Sequence, residues 1–492
     1  MDLSTKQRTV IIVVLALYTA ALLLYSLVTR KAMQKGKGDY LSKFYTGGRS
    51  GGIIITAMMV SAGVAGAGVF MGVPGFTYTY GATWMVCCFF SIGSNLMVIG
   101  LLGKRVGIVA RRTNSKTFIE LFMNRYNNSK AVGILCGVST LFFLGGFAVS
   151  TITGGGRIFQ ILTGQDYLAI FTALVIIAAL TGGIKGVASA MVIQGIVMTI
   201  SVLLLFIMGV NSTGLSYTQT IQSLMQTDPD WFRPDANALQ TTISYAILWG
   251  ITTFTLPHVT MTALTYKDTK TLHRALKIGT AVVAIWLLGL NGLCFITKYS
   301  FAEGTLATAD LAIPTLAVKV MPAWAAGLVL AGVSGAVQSS MGGMIVSLAG
   351  TVVSDLYKNI FDKDAKPETI RKLNVAAILV VSIVIFLLAS NPPQLLAQLI
   401  TYATGGLTVV FFHVVLLGLF WKRANEYGAV AGIVSGILLY FLIDKGILAI
   451  SLGFNACIMA TLLSTLIAVI VSLLTPKTPY GIIRTWFGRM QA

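Results

Sequence analysis

Two serines stand side by side in Ala336-Val-Gln-Ser339-Ser340. Positions i, i+3 and i+4 share one helical face, so two hydroxyls and one small residue point the same way. Hydroxyls so placed can ligate a hard cation. They can also bond back to their own helix while the small residue admits a close neighbour. A second stretch, Ser61-Ala62-Gly63-Val64-Ala65-Gly66-Ala67-Gly68, puts three glycines into eight positions. Each glycine lowers helix propensity by about 1 kcal/mol, so this run can unwind and expose carbonyl oxygens. Close packing is the plainer use of the same residues. A third stretch, Gly250-Ile-Thr252-Thr253-Phe254-Thr255-Leu256-Pro257-His258, carries a proline. Proline removes a backbone donor and clashes with the preceding turn, so a helix here is expected to break near its middle.

The elements that must hold these residues follow from composition. The chain has 492 residues, 56% hydrophobic and only 10% charged, against about 25% charged in soluble domains. A bilayer is the solvent that fits. A span needs about 20 apolar residues, and about thirteen such stretches are expected. They run 9–29, 51–76, 82–103, 131–163, 167–183, 186–210, 237–265, 274–298, 322–356, 371–390, 394–421, 427–443 and 447–474. Continuous apolar runs of this kind are not the short alternating segments of a barrel. The first run is expected to remain as a span rather than be removed as a signal. The five cysteines all fall inside spans, odd in number and without metal-type spacing, and read as small buried hydrophobes.

Charge gives the expected orientation. The net charge is +19, but 28 of the 35 Lys and Arg collect on alternate connections, as they should if the N-terminus is outside and the C-terminus cytoplasmic. The excess is therefore topological, beside an anionic leaflet, and does not imply nucleic acid. Each of the sixteen Asp and Glu falls in an expected loop or at a span end, Asp355 among the latter. Proton-driven carriers commonly hold a carboxylate at depth, and none is expected here. No GxxxxGK[ST] phosphate loop occurs either. Coupling to a cation would then rest on uncharged oxygens where helices unwind. Two interrupted spans begin two sets of about five helices, 51–210 and 237–421, and paired interruptions point to a midplane site between inverted repeats. The rest divides into a first helix and basic linker (1–50), an outer loop (211–236) and two last helices with a short tail (422–492).

At these residues the chain resembles the sodium:solute symporter family over nearly its whole length. Thr181-Gly182-Gly183 before the helix of Gln194, Tyr266-Lys267-Asp268 with His273-Arg274, and Ile313-Pro314-Thr315-Leu316 through Asp355-Leu356-Tyr357 carry the likeness. The resemblance implies an all-α integral membrane protein with an inverted five-plus-five repeat and two discontinuous helices (LeuT-type), one helix before and two after. It implies sodium as the co-transported ion. Matching by motif puts carbonyl ligands at Ala62, Ala65 and Ala336 and hydroxyl ligands at Ser339 and Ser340. Met191 stands where many members carry an Asp three residues before the Gln, which argues against a second sodium. Gly68 and Val69 replace the polar side chains that sugar carriers place on the first broken helix. The passages 103–112, 256–274 and 312–357 are most similar to members that move pantothenate.

For the solute site, Gly66, Gly68 and Val69 leave room with few side-chain donors, and Thr252, Thr253 and Thr255 face them with hydroxyls. Exposed amides at a helix break can hold a carboxylate, which gives a small organic monoanion as the expected partner. Arg157 could pair with that carboxylate, or snorkel to the outer interface. His258 could bind solute or titrate, or pack against a freed carbonyl. His413 is expected to be structural. The expected product is a carrier in the plasma membrane, not an enzyme, with a monomer as its transport unit. A proton-coupled or sodium-independent carrier and a non-transporting sensor stay open beside it, although a sensor should carry an output domain. A channel should carry a repeated filter, and nothing in the sequence resembles one.

Overall fold

A backbone taken out of water must satisfy its N–H and C=O groups within its own segment, so long apolar runs fold as helices. The structure, a computed structural model, describes residues 4–34, 40–64, 68–94, 96–164, 168–233, 236–301, 306, 308–390 and 396–488. Among these there is no strand beyond one isolated bridge, between Gly51 and Tyr266. Ten helices are long and apolar enough to cross a bilayer, and a bent pair makes eleven. The two other expected spans, 167–183 and 237–265, are helical but not long unbroken apolar helices. The first supplies a short apolar helix, Leu168–Ile177. The second is broken into several pieces. Large apolar side chains such as Phe89, Phe142, Val380 and Leu387 stand more than half exposed on the outside, as a surface facing lipid tails requires.

In chain order, α1 (Thr5–Gln34) precedes the first broken span. That span consists of α2 (Ile53–Val64), a π-helical turn (Gly68–Gly72) and α3 (Val73–Tyr80), with a bend of 58° between its halves. The short α4 (Phe118–Arg125) lies between two spans, and α5 (Gly145–Thr163) ends the second of them. Next, α6 (Leu168–Ser212) is interrupted at Gly183, whose φ of 50° separates the two expected spans within the glycine pair 182–183. The second broken span begins with α7 (Ala236–Tyr245), widens through a π-helical stretch, Ala246–Ile251, and then tightens in a 3₁₀ turn, Thr252–Thr255. It then breaks at extended Leu256 and restarts as α8 (Pro257–Thr260). The residue before a proline is driven out of the helical region, and proline suits the first position of a new helix. One residue pair therefore both ends and restarts the chain. α9 (Thr269–Ser300), α10 (Ala323–Gly350) and α11 (Leu396–Phe420) complete the elements around the site.

α10 is the spine of the bundle, buried over nearly its whole length. Its glycines permit this, because small residues let helix backbones approach closely. A Cβ on Gly332 would sit 2.7 Å from the Ser201 hydroxyl on α6, and one on Gly335 would sit 2.6 Å from the Tyr18 hydroxyl on α1. The helix continues as a π-helical stretch, Thr351–Phe361, so the span runs several residues beyond the expected end at 356. Asp355, expected at a span end, lies in this last, π-helical stretch. Asp355 is 1% exposed inside the helix, where it accepts a hydrogen bond from Thr117, the N-cap residue of α4. It lies 15 residues beyond Ser340, about 22 Å along a helix axis. The middle of the span therefore remains free of carboxylates.

Candidate functional site

The site is built where α2 stops. A helix end leaves its last four carbonyls outside the intrahelical ladder. Ala62 lies in the last described turn of α2, and it is fully buried. The Ser340 hydroxyl on α10 donates to the Ala62 carbonyl at 3.2 Å. One turn earlier, the Ser339 hydroxyl donates to the Ala336 carbonyl at 3.0 Å. Ala336, Ser339 and Ser340 are each no more than 1% exposed. Ser61 fixes α2 from the other side by donating to the Gly279 carbonyl of α9 at 3.1 Å. Two hydroxyl–carbonyl pairs, one joining α10 to α2 and one within α10, thus lie in the interior with no charged group in either. Such a set suits a hard monovalent cation, since each hydroxyl can turn its hydrogen away and offer its oxygen. Ala65 and Gly66 lie outside the described residues, as does the side chain of Arg157.

Beside this cluster a narrow cavity of about 70 Å³ lies between the two broken spans. Gly63, Gly68 and Val69 form one wall, and Thr253 and Leu256 the facing one. Three polar residues that the sequence reading did not single out join them: Ser91, and Thr404 and Thr408 of α11. Thr401, Thr404 and Thr408 recur at i, i+3 and i+7, which is the spacing of one helical face. That signal was available in the sequence. Thr252 and Thr255 stand behind the wall. The Thr408 hydroxyl donates to the Thr252 hydroxyl at 3.2 Å and lies 3.2 Å from that of Thr255. Thr255 in turn donates to the Thr252 carbonyl at 2.7 Å, so this group stiffens the broken turn from outside the cavity. Thr252 and Thr253 also donate back to the carbonyls of Leu248 and Trp249.

His258 is 4% exposed and packs edge-on against Phe147, a cavity residue, with ring centroids 5.8 Å apart. The Gly63 backbone lies beside the ring. The geometry falls short of a hydrogen bond, so both ring nitrogens are without a protein partner. His413, on α11, is equally buried and lies 3.4 Å from the Ala429 carbonyl, consistent with packing. The five cysteines are all buried and free.

The two ends of the broken spans are held differently. Where α2 begins, Gly51 exchanges backbone hydrogen bonds with Thr265 and Lys267, each 3.0 Å long. Arg111 donates to the Tyr266 carbonyl at 2.5 Å and stacks over the Tyr266 ring, and Arg49 donates to the carbonyls of Ala110 and Ser115 at 2.9 Å each. The Tyr266 hydroxyl reaches the Gly103 carbonyl at 3.1 Å. At the opposite end, past α3, the rings of Phe76, Tyr80, Trp84, Tyr245 and Trp249 pack together with centroids 4.8–6.3 Å apart. Trp249 also reaches the cavity. One end is therefore tied by backbone and cationic contacts, the other by stacked rings.

A helical bundle with two spans broken beside one shared cavity, and a neutral-oxygen cluster at the break, has the architecture of a secondary carrier. The chain matches the sodium:solute symporter family over residues 44–436, and it belongs to that family. It is not an enzyme, and sodium is its co-transported ion. It is 30% identical over 421 residues to the sodium/pantothenate symporter of Haemophilus influenzae, covering 84% of this chain and 86% of that one. It is 27% identical to the osmoregulated proline transporter OpuE of Bacillus subtilis, covering 98% of both. Among solved structures it is similar to a substrate-bound, outward-open Na⁺-coupled sialic acid symporter. That match has a TM-score of 0.79 at 21% identity and covers 96% of this chain and 99% of that one.

Proposed function

We propose that this sodium-coupled carrier moves one Na⁺ with one small organic monoanion, pantothenate first among them, by alternating access. The hydrogen bond from Ser340 to Ala62 carries this reading. It joins the spine helix to the first broken helix through the oxygens a sodium ion would share. Ala62, Ala65, Ala336, Ser339 and Ser340 are the proposed ligands. An ion there favours the arrangement in which the two elements are together, and so raises affinity for the solute beside them. Met191 in place of an acid supports a single ion.

The solute binds in the cavity next to Thr253, Gly66, Gly68 and Val69. Thr252 and Thr255 hold the turn, and His258 offers an unsatisfied imidazole nearby. Among the described residues the cavity wall holds no Lys or Arg. The anion's charge therefore rests on the backbone amides that begin the helix at Gly68, where the helix dipole is positive. Arg157 remains a proposed partner for the carboxylate. Small-molecule sites usually occupy about 300–1,000 Å³, so binding requires the broken helices to move apart from the narrow state described above. The Tyr266 end faces the cytoplasm in this reading, with the N-terminus outside, and 51–210 and 237–421 are the two repeats of a monomeric transport unit. The similarity to the Haemophilus influenzae symporter supports pantothenate, and that to the Bacillus subtilis protein keeps proline as its competitor.

Proteoliposomes decide it. Labelled pantothenate should accumulate under an inward sodium gradient and not under choline, and unlabelled pantothenate should displace it at concentrations where proline does not. Uptake indifferent to sodium would overturn the coupling. Accumulation of proline alone would overturn the anion.

A further inference from the structure

A second cavity lies on the other side of α10, away from the proposed sodium set. Its larger part, about 340 Å³, is enclosed by α1, the first half of α6 and α10. A deeper part continues inward, and Thr19, Leu23, Leu174 and Gln338 line both. Among the described residues the wall is apolar except for a few groups, chiefly Thr19, Gln194, Ser334 and Gln338, and none of these described residues is ionisable.

Those polar groups are incompletely satisfied. Gln338 donates to the Ser334 hydroxyl at 3.1 Å. Gln194 is 4% exposed, yet its side-chain oxygen has no hydrogen-bond partner in the protein. The Tyr18 hydroxyl on α1, which faces Gly335 of α10, is also without one among the described residues. A buried acceptor left without a donor costs about 1–3 kcal/mol, so such groups usually have a partner outside the protein when none lies within. The cavity rim includes Ile170, 51% exposed, and Leu17 beside it on α1 is 66% exposed. Both face the region that lipid tails occupy. The cavity is therefore reached from the bilayer.

We propose that this cavity binds an uncharged, single-chain amphiphile from the bilayer whose head group donates a hydrogen bond to Gln194. Its chain lies along the apolar residues of α1 and its head points at the Gln194 oxygen and the Gln338–Ser334 pair. The absence of any cation or carboxylate in the wall selects a neutral head over a fatty acid or a phosphate. The occupant would press on the face of α10 opposite Ser340, and it is a ligand distinct from the transported solute.

The test uses purified full-length protein in nanodiscs and a diazirine-bearing monoacylglycerol. The label should enter residues 12–23 and 334–342. Monoolein should compete for it, and methyl oleate, with the same chain and no donor, should compete at least fivefold less well. Ala16→Trp should fill the cavity and abolish specific labelling. Gln194→Leu should erase the preference for monoolein and gives an independent reading if the tryptophan variant does not fold. Equal competition by methyl oleate, label spread over lipid-facing helices such as Pro367–Ser390, or unchanged labelling in both variants would each overturn the proposal. None of these readouts depends on transport, so the outcome is separate from that of the uptake assay.

Discussion

Ser339 and Ser340 are neighbours in sequence but do different work in the structure. Ser339 bonds within its own helix, to Ala336, and Ser340 bonds across to Ala62. A hydrogen bond or ligand bond to a charged group contributes about 1.5–3 kcal/mol, and about 1.4 kcal/mol is tenfold in affinity. Ser340→Ala and Ser339→Ala should therefore each raise the sodium concentration for half-maximal uptake about tenfold or more. Alanine suits a buried helix, so both variants should fold. Unchanged sodium dependence in both would return these serines to helix packing. Thr408 is different in kind, because its hydroxyl ties Thr252 and Thr255 and also lies on the cavity wall. Thr408→Val should raise the solute concentration for half-maximal uptake while leaving that for sodium within about twofold, since the loss is about one neutral hydrogen bond. A sodium-only effect would place Thr408 with the ion instead.

At the scale of elements, the proposed cycle moves the two broken spans against each other, and their tied end would set how they do it. Gly107 is the tightest point of that end. A Cβ there would lie 2.1 Å from the Tyr266 hydroxyl and 2.4 Å from the ring carbon that bears it. No rotation of the ring relieves contacts of that kind while Arg111 and the Gly103 carbonyl hold it. Gly107→Ala should destabilise this closure by about 1–3 kcal/mol, the usual cost of overpacking. The carrier should then populate states open at the Tyr266 end, read as faster alkylation of a cysteine introduced at Thr262. Protection equal to that of the parent would mean that the end is not held by this contact. The break at Leu256-Pro257 admits a similar argument. Pro257→Ala restores a backbone donor and allows the turn to close, so uptake should fall without loss of expression.

For the whole molecule, the open question is its orientation in the membrane, and cysteine accessibility tests it. The basic connections near Arg49, Arg111 and Lys267 lie at the tied end, and the proposed orientation, by the positive-inside rule, has them face the cytoplasm. Cysteine scanning in intact cells should find residues at that end protected from a membrane-impermeant reagent and those near Trp84 reactive. The reverse pattern would invert the orientation. The structure resembles a sodium-coupled carrier across almost its full length, while the packing at α1 belongs to a region outside both proposed repeats. The amphiphile cavity arises there.

Sequence alone carried the class of molecule, since few charges and long apolar runs leave a helical bilayer protein as the solution. It also located both breaks, because glycine and proline act on the backbone whatever surrounds them. It located the serine pair by helical spacing. Tertiary structure alone decided which oxygens meet, because Ala62 and Ser340 are 278 residues apart in the chain and only the packing of α2 on α10 joins them. It also decided that Asp355 is buried against Thr117 near the end of its span, that Thr404 and Thr408 complete the cavity, and that Thr252 and Thr255 stand behind it. Side-chain direction at a broken turn depends on local backbone angles that deviate from any fixed period, so periodicity could name those threonines but not say which of them faces the solute.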